Sequence, residues 1–280
     1  MRLPAGFRPT RVERASIMTL QAPEQTVPPH VVLLDIEGTT LPVSFVHNVL
    51  FPYARQHLAA LLADRATDPV VMRAVAQIGE LAPGVPPAEQ LSRWMNEDAK
   101  VEPLKTLQGL CWDGGYRQGE LVADLYSDVV PCLRALHAAG VVLAVYSSGS
   151  EPAQRLIYGY TEQGDVTPLF SAFFDLRVGG KKEAQSYRNI LAETGWQAAD
   201  VLFLSDVEAE LDAASEAGLR VCQIARVKMR RWQASATRFV LILRRRWSVL
   251  ACPAPCRVRR KGHCRADKGP PVYGLAQYPA

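Results

Sequence analysis

The chain has no run of about 18 uncharged apolar residues, so no membrane-spanning helix is expected. Its opening stretch, MRLPAGFRPTRVERAS, carries arginine but no apolar segment and does not read as a secretory signal. The six cysteines lack the spacing of a disulfide framework, which suits a reducing cytoplasm. Acidic residues all but vanish after residue 225. Residues 226–280 hold 14 Lys/Arg against Asp267 alone, whereas residues 1–225 hold 18 basic and 27 acidic side chains. The net charge of +4 therefore divides into about −9 for the first part and about +13 for the tail, two different kinds of sequence.

What is present suffices for a sizeable core: 280 residues, 48% of them apolar, allow one large domain or a core carrying an inserted one. Residues 1–29 contain Pro, Arg and Gln without periodicity and read as a disordered extension, with Met18 as a candidate true start. VVLLD (31–35) is a short apolar run ending in an acid, the pattern of a strand buried on both faces of a parallel sheet. From Ser44 to about Ala63 the spacing turns helical, with Pro52 as a candidate kink. Residues 66–126 read as helices and loops, APGVPP (82–87) being a loop whose last prolines open the next helix. Strand patterns return at 141–148, more weakly at 173–178, then at 201–206 and 220–224. Helical stretches at 151–161, 182–194 and 207–217 lie between them, the last two followed by Gly195 and Gly218. Strands alternating with helices imply an α/β fold with a Rossmann-like parallel sheet. The expected organisation is a core of 30–44 and 128–225, a helical cap of 45–127 inserted after the first strand, and an atypical basic tail from 226 to 280.

Ligands of open α/β sheets sit beyond the carboxyl ends of the strands, and four groups fall there. In DIEGTT (35–40), Asp35 closes a strand, Glu37 follows and Gly38 permits a tight turn. A carboxylate nucleophile divides phosphate-ester hydrolysis into two easier steps, and a second acid can serve the leaving oxygen and the attacking water. YSSGS (146–150) offers hydroxyls and backbone N–H groups to a phosphate, or an ordinary helix N-cap. The lysines of GGKK (179–182) could neutralise phosphate, or be solvated. In LSDVEAEL (204–211), Asp206 ends a strand and Glu210 follows at helical spacing; Asp35 and Asp206 could hold a hard cation between neighbouring strands, or Asp206 could favour a helix dipole. Each group is weak by itself. Their order of Asp, Ser, Lys and Asp supplies what phosphoryl transfer needs: a nucleophile, a metal and positive charge.

This order resembles the four motifs of haloacid-dehalogenase-like phosphatases, and within them the enolase-phosphatases of methionine salvage, whose first motif reads DIEGTT. LKTLQGLCWDGGYRQGEL (104–121), VYSSGS, GKKEAQSYR and FLSDVEAELDAA resemble the later signatures, and the likeness covers roughly residues 30–225. The resemblance implies Asp35 as nucleophile and Mg²⁺ ligand, Glu37 as second acid and metal ligand through its carbonyl, Ser147 and Ser148 as phosphate binders, Lys181 rather than Lys182 as the neutralising lysine, and Asp206 completing the Mg²⁺ site. It implies enolisation and dephosphorylation of 2,3-diketo-5-methylthiopentyl-1-phosphate to 1,2-dihydroxy-3-keto-5-methylthiopentene, by a monomer. Glu37, Lys100 and Tyr116 are candidates for the enolisation base.

The tail does not continue this pattern, and its Arg-rich composition suggests a reading-frame shift near residue 226. RRRW and RVRRK could contact nucleic-acid phosphates; Cys252, Cys256, His263 and Cys264 fit zinc spacings poorly; FVLIL (239–243) is apolar enough for a strand. The other readings are a phosphatase for a different small phosphate ester, a dehalogenase, and an inactive product whose basic tail binds nucleic acid.

Overall fold

A computed structural model describes residues 28–227 and 238–242. The expectations for residues 1–27, including the start at Met18, and for the basic and Cys/His segments beyond residue 242 lie outside the described residues.

The apolar runs form a sheet. Its strands are β1 (Val31–Leu34), β2 (Val142–Tyr146), β3 (Phe170–Phe174), β4 (Val201–Ser205), β5 (Arg220–Val227) and β6 (Arg238–Ile242), in the order β3-β2-β1-β4-β5-β6. The first five are mutually parallel, and β6 pairs antiparallel with β5. Every residue of β1 is buried, because helices cover both faces of the sheet. Val32 and Leu34 point into one hydrophobic cluster, Val31 and Leu33 into the other, as the two-residue period of a strand dictates. The chain runs from β1 outward to β3, then returns to β4 on the other side of β1. The switch point thus lies between β1 and β4, where such sheets place ligands.

Between β1 and β2 stands a helical insert: α1 (Val43–Phe45), a π-helical turn (Val46–Leu50), α2 (Phe51–Asp64), α3 (Pro69–Leu81), α4 (Pro87–Asn96) and α5 (Glu102–Arg117). It closes a core of its own, in which Leu58, Ile78, Leu91 and Leu107 are buried. The helical pattern from Ser44 is borne out with one refinement. Pro52 opens α2 instead of kinking it, and the wide turn comes just before. The Leu50 carbonyl at that turn accepts a bond from the Trp112 indole of α5 (2.8 Å), so the α1–α2 break is tied to the far end of the insert. Pro87 stands in the first turn of α4, as its sequence suggests.

The core helices are α6 (Val129–Ala138), α7 (Glu151–Gly159), α8 (Ala184–Thr194) and α9 (Glu208–Glu216). Gly195 adopts the left-handed conformation that ends α8 (φ 73°). Two expectations shift. The strand placed at 173–178 lies at 170–174, because the Asp175 carboxylate accepts from Arg177 N and Glu151 N and turns the chain. The change of composition at 226 does not end the sheet: β5 continues through Arg226 and Val227, and the backbone of Arg238–Ile242, most of the FVLIL run, adds a strand at the sheet edge. Among the described residues no helix is long and apolar enough to cross a membrane.

Trp112→Phe removes the donor from the Leu50 carbonyl while keeping most of the aromatic surface. It should lower unfolding free energy by about 1–3 kcal/mol, read from urea midpoints. An unchanged midpoint would show that water serves that carbonyl equally well.

Candidate active site

The parallel register assembles the site. Leu34 stands beside Val145 on one side and Leu204 on the other, so the residues just past the three strand ends, Asp35, Ser147 and Asp206, gather at one edge. Gly38 closes the turn after β1 at φ 77°, and a Cβ there would collide with the Asp206 carboxylate. Glycine is thus required for both its backbone conformation and its missing side chain.

Asp35 is buried. One carboxylate oxygen contacts Lys181 Nζ, and the other accepts from the Thr39 hydroxyl (3.3 Å). Lys181 is also buried and reaches Glu210 on α9 (2.7 Å). Glu210 in turn accepts from the Ser205 hydroxyl at the end of β4 (2.8 Å). Lys182 is exposed, so the buried contact singles out Lys181 from the pair. Burial, with Glu210 nearby, pushes the Asp35 carboxyl up to about 7 against the opposing pull of Lys181. Burial opposes charge on Lys181, yet Asp35 and Glu210 outweigh it and hold the ammonium above its ordinary value. Asp206 is raised, first by burial and also by Glu210.

Asp206 Oδ1 is a buried oxygen with no hydrogen-bond partner. Such an atom is costly unless something charged meets it. Among the described residues no three His, Cys, Asp or Glu side chains gather with metal-ligand spacing. The carboxylates that could hold a metal here are two, Asp35 and Asp206, at the ends of the neighbouring strands β1 and β4. That suits Mg²⁺, which keeps several waters and takes one or two carboxylates, and would not suit zinc.

A cavity of about 310 Å³ opens between this edge and the insert. Glu37, Ser147 and Ser148 line its sheet side; Trp94, Lys100, Lys105 and Trp112 line the helical side. Ser147 is buried and its hydroxyl accepts from Gly149 N (3.4 Å). Ser148 is exposed, and its carbonyl accepts from Lys105 of α5 (3.3 Å), which joins insert to core. The buried Gln154 amide braces the loop, donating to the carbonyls of Gly149 and Phe174 (both 2.8 Å). Of the candidate bases, Glu37 and Lys100 line the cavity. Tyr116 does not: it is packed in the core against Tyr160 (5.4 Å between centroids).

Sequence reasoning noticed Glu210 only as an acid at helical spacing and gave Thr39 and Lys105 no role. The Ser205–Glu210 separation within a strand-to-helix turn was the available signal for Glu210. Nothing local marked the other two.

Because the folded Asp35 carboxyl titrates above its unfolded value, its ionisation opposes folding: its contribution is favourable below the ordinary carboxylate range and is lost as pH rises through about 7. In EDTA, Asp35→Asn should therefore gain stability over the wild type by up to about 1.4 kcal/mol per pH unit across that window, with a constant gap above it. Urea denaturation at several pH values measures this, and a gap independent of pH would refute it.

The haloacid dehalogenase-like hydrolase model matches residues 29–218. An enolase-phosphatase E1 from Gluconacetobacter diazotrophicus is 68% identical over 195 residues, covering 70% of this chain and 83% of that protein. One from Granulibacter bethesdensis is 54% identical over 199 residues, covering 71% and 86%. Among solved structures, the UTR4 protein of Saccharomyces cerevisiae superposes with a TM-score of 0.61 at 34% identity, covering 71% of this chain and 90% of that one. All four site segments lie inside the matched region, and the chain belongs to the enolase-phosphatase E1 family of haloacid dehalogenase-like hydrolases.

Proposed function

We propose that the chain is a Mg²⁺-dependent enolase-phosphatase that enolises 2,3-diketo-5-methylthiopentyl-1-phosphate and then releases phosphate to give 1,2-dihydroxy-3-keto-5-methylthiopentene. The observation that carries the reading is the buried Asp35, held by Lys181 and Thr39 and followed directly by Ile36 and Glu37, which line a cavity together with Ser147 and basic side chains of the insert. The likeness to proteins named enolase-phosphatase E1 supports an enolase step joined to a phosphatase step, and the diketo phosphate is the substrate that the family resemblance implies.

In this reading the substrate phosphate sits against Ser147 and Ser148. An Asp35 oxygen attacks phosphorus, the bond from phosphorus to the C1 oxygen breaks, and an aspartyl-phosphate forms. Glu37, two residues along and lining the cavity, is placed to give the leaving oxygen a proton and later to take one from the attacking water. Lys181 balances charge on the nucleophile and on the transferred oxygens without needing to move. Asp35 and Asp206 would hold Mg²⁺, which supplies Lewis acidity to a carbonyl during enolisation and to a phosphoryl oxygen afterwards. For proton removal from carbon, the cavity offers Glu37 and Lys100. Lys100 is bound to Asp98 (2.7 Å) and lies 5.9 Å from the Phe51 ring.

Phosphate release from the diketo phosphate should require Mg²⁺, stop in EDTA and disappear in Asp35→Asn. Lys181→Met should lower kcat by about 10²–10³-fold. A soluble, folded wild type that releases no phosphate in Mg²⁺ would overturn the proposal.

A further inference from the structure

Arg226 lies outside the cavity lining, near the end of β5, yet it touches both segments that join the insert to the core. Its Nε donates to the Thr39 carbonyl (2.9 Å), as does its Nη2, and Thr39 belongs to the segment that leads from β1 into the insert. Its Nη1 donates to both oxygens of Asp128 (2.9 and 3.0 Å), and its guanidinium covers the Tyr126 ring at 4.0 Å. Tyr126 and Asp128 belong to the segment that returns from the insert. The two segments also meet directly, Tyr126 N donating to the Thr40 carbonyl (3.1 Å).

Thr39 is the relay to the site. Fully buried, it donates its hydroxyl to Asp35 (3.3 Å) and accepts from the backbone N–H of Asp206 (3.1 Å). One side chain thus spans the ends of β1 and β4, and its own backbone is held by Arg226.

We infer that Arg226 is a positioning residue: by gripping both linkers of the insert, it fixes Thr39 and, through Thr39, the relative placement of Asp35 and Asp206. The inference rests on the roles proposed above for those carboxylates. A planar fork of five donors can serve a carbonyl, a carboxylate and an aromatic face together, which a lysine ammonium cannot. The Arg226 side chain is only 7% exposed and Asp128 19%. A buried pair of that kind contributes little net stability, since desolvation offsets most of the attraction. Its consequence is a fixed geometry, and a misplacement of about 1 Å can cost 10²-fold in rate.

The test uses the full chain and Arg226→Lys. Expected are a fall in kcat of about 10- to 100-fold with KM little changed, and faster hydrogen exchange in peptides spanning 36–41 and 121–128 but not in one spanning 184–194. In the double variant with Thr39→Val, the loss of kcat should be no larger than for Thr39→Val alone, because the two act in series. Wild-type kcat and wild-type exchange in a folded Arg226→Lys would overturn the inference. So would exchange raised equally in all three peptides, the mark of general destabilisation. If circular dichroism shows that variant unfolded, Asp128→Asn is judged by the same readouts. If the wild type itself releases no phosphate, the substrate reading has failed, and the pattern of exchange alone decides the linker clamp.

Discussion

Lys181 lies buried between Asp35 and Glu210, and the geometry of the site depends on that pairing. Each of these charges would be expensive to bury alone. Together they bind the end of β1, the loop before α8 and the first turns of α9 into one arrangement. The pairing is uneven: two carboxylates, Asp35 and Glu210, share one ammonium, and Asp206 Oδ1 nearby has no hydrogen-bond partner. An excess of buried negative charge is unfavourable for a bare fold and favourable for a divalent cation. The raised Asp35 and Asp206 carboxyls register the same tension. Stability given up at a site in this way is a common accompaniment of activity.

Around this centre the scaffold is closely packed and hydrogen-bonded. The sheet edge is set by parallel register and by two clusters of apolar side chains. The loop after β2 is braced by the Gln154 amide. The insert has its own core and supplies the aromatic and basic wall of the cavity. It communicates with the sheet through its two linkers and through contacts such as Lys105 with the Ser148 carbonyl. Because Arg226 touches both linkers, the last parallel strand is joined to the turn after β1.

The strands were legible because a strand buried on both faces must be apolar throughout and must stop where a polar or charged group is needed. VVLLD, VLAVYSS and VLFLSD show this directly. Less legible was β3, whose end is set by the Asp175 carboxylate capping two backbone N–H groups. The change of composition after residue 225 was plain, but the sheet continues through Arg226 and Val227 and takes in Arg238–Ile242. Composition reports which residues are abundant, whereas pairing depends on which backbone groups an edge strand leaves unmet.

By itself the sequence determined the parallel α/β core, the helical insert and the identity of the residues at each strand end. Apolar period, turn glycines and the order of the acids are local properties, and local properties are written along the chain. Only the tertiary structure decided that Glu210 completes the pairing of Lys181 with Asp35, and that Tyr116 packs away from the cavity. It alone joined Arg226 to Asp35 and Asp206 through Thr39. Lys181 and Asp35 stand 146 residues apart, and Arg226 and Thr39 stand 187 apart. Contacts over such separations are set by strand order and register, which no short stretch of sequence contains.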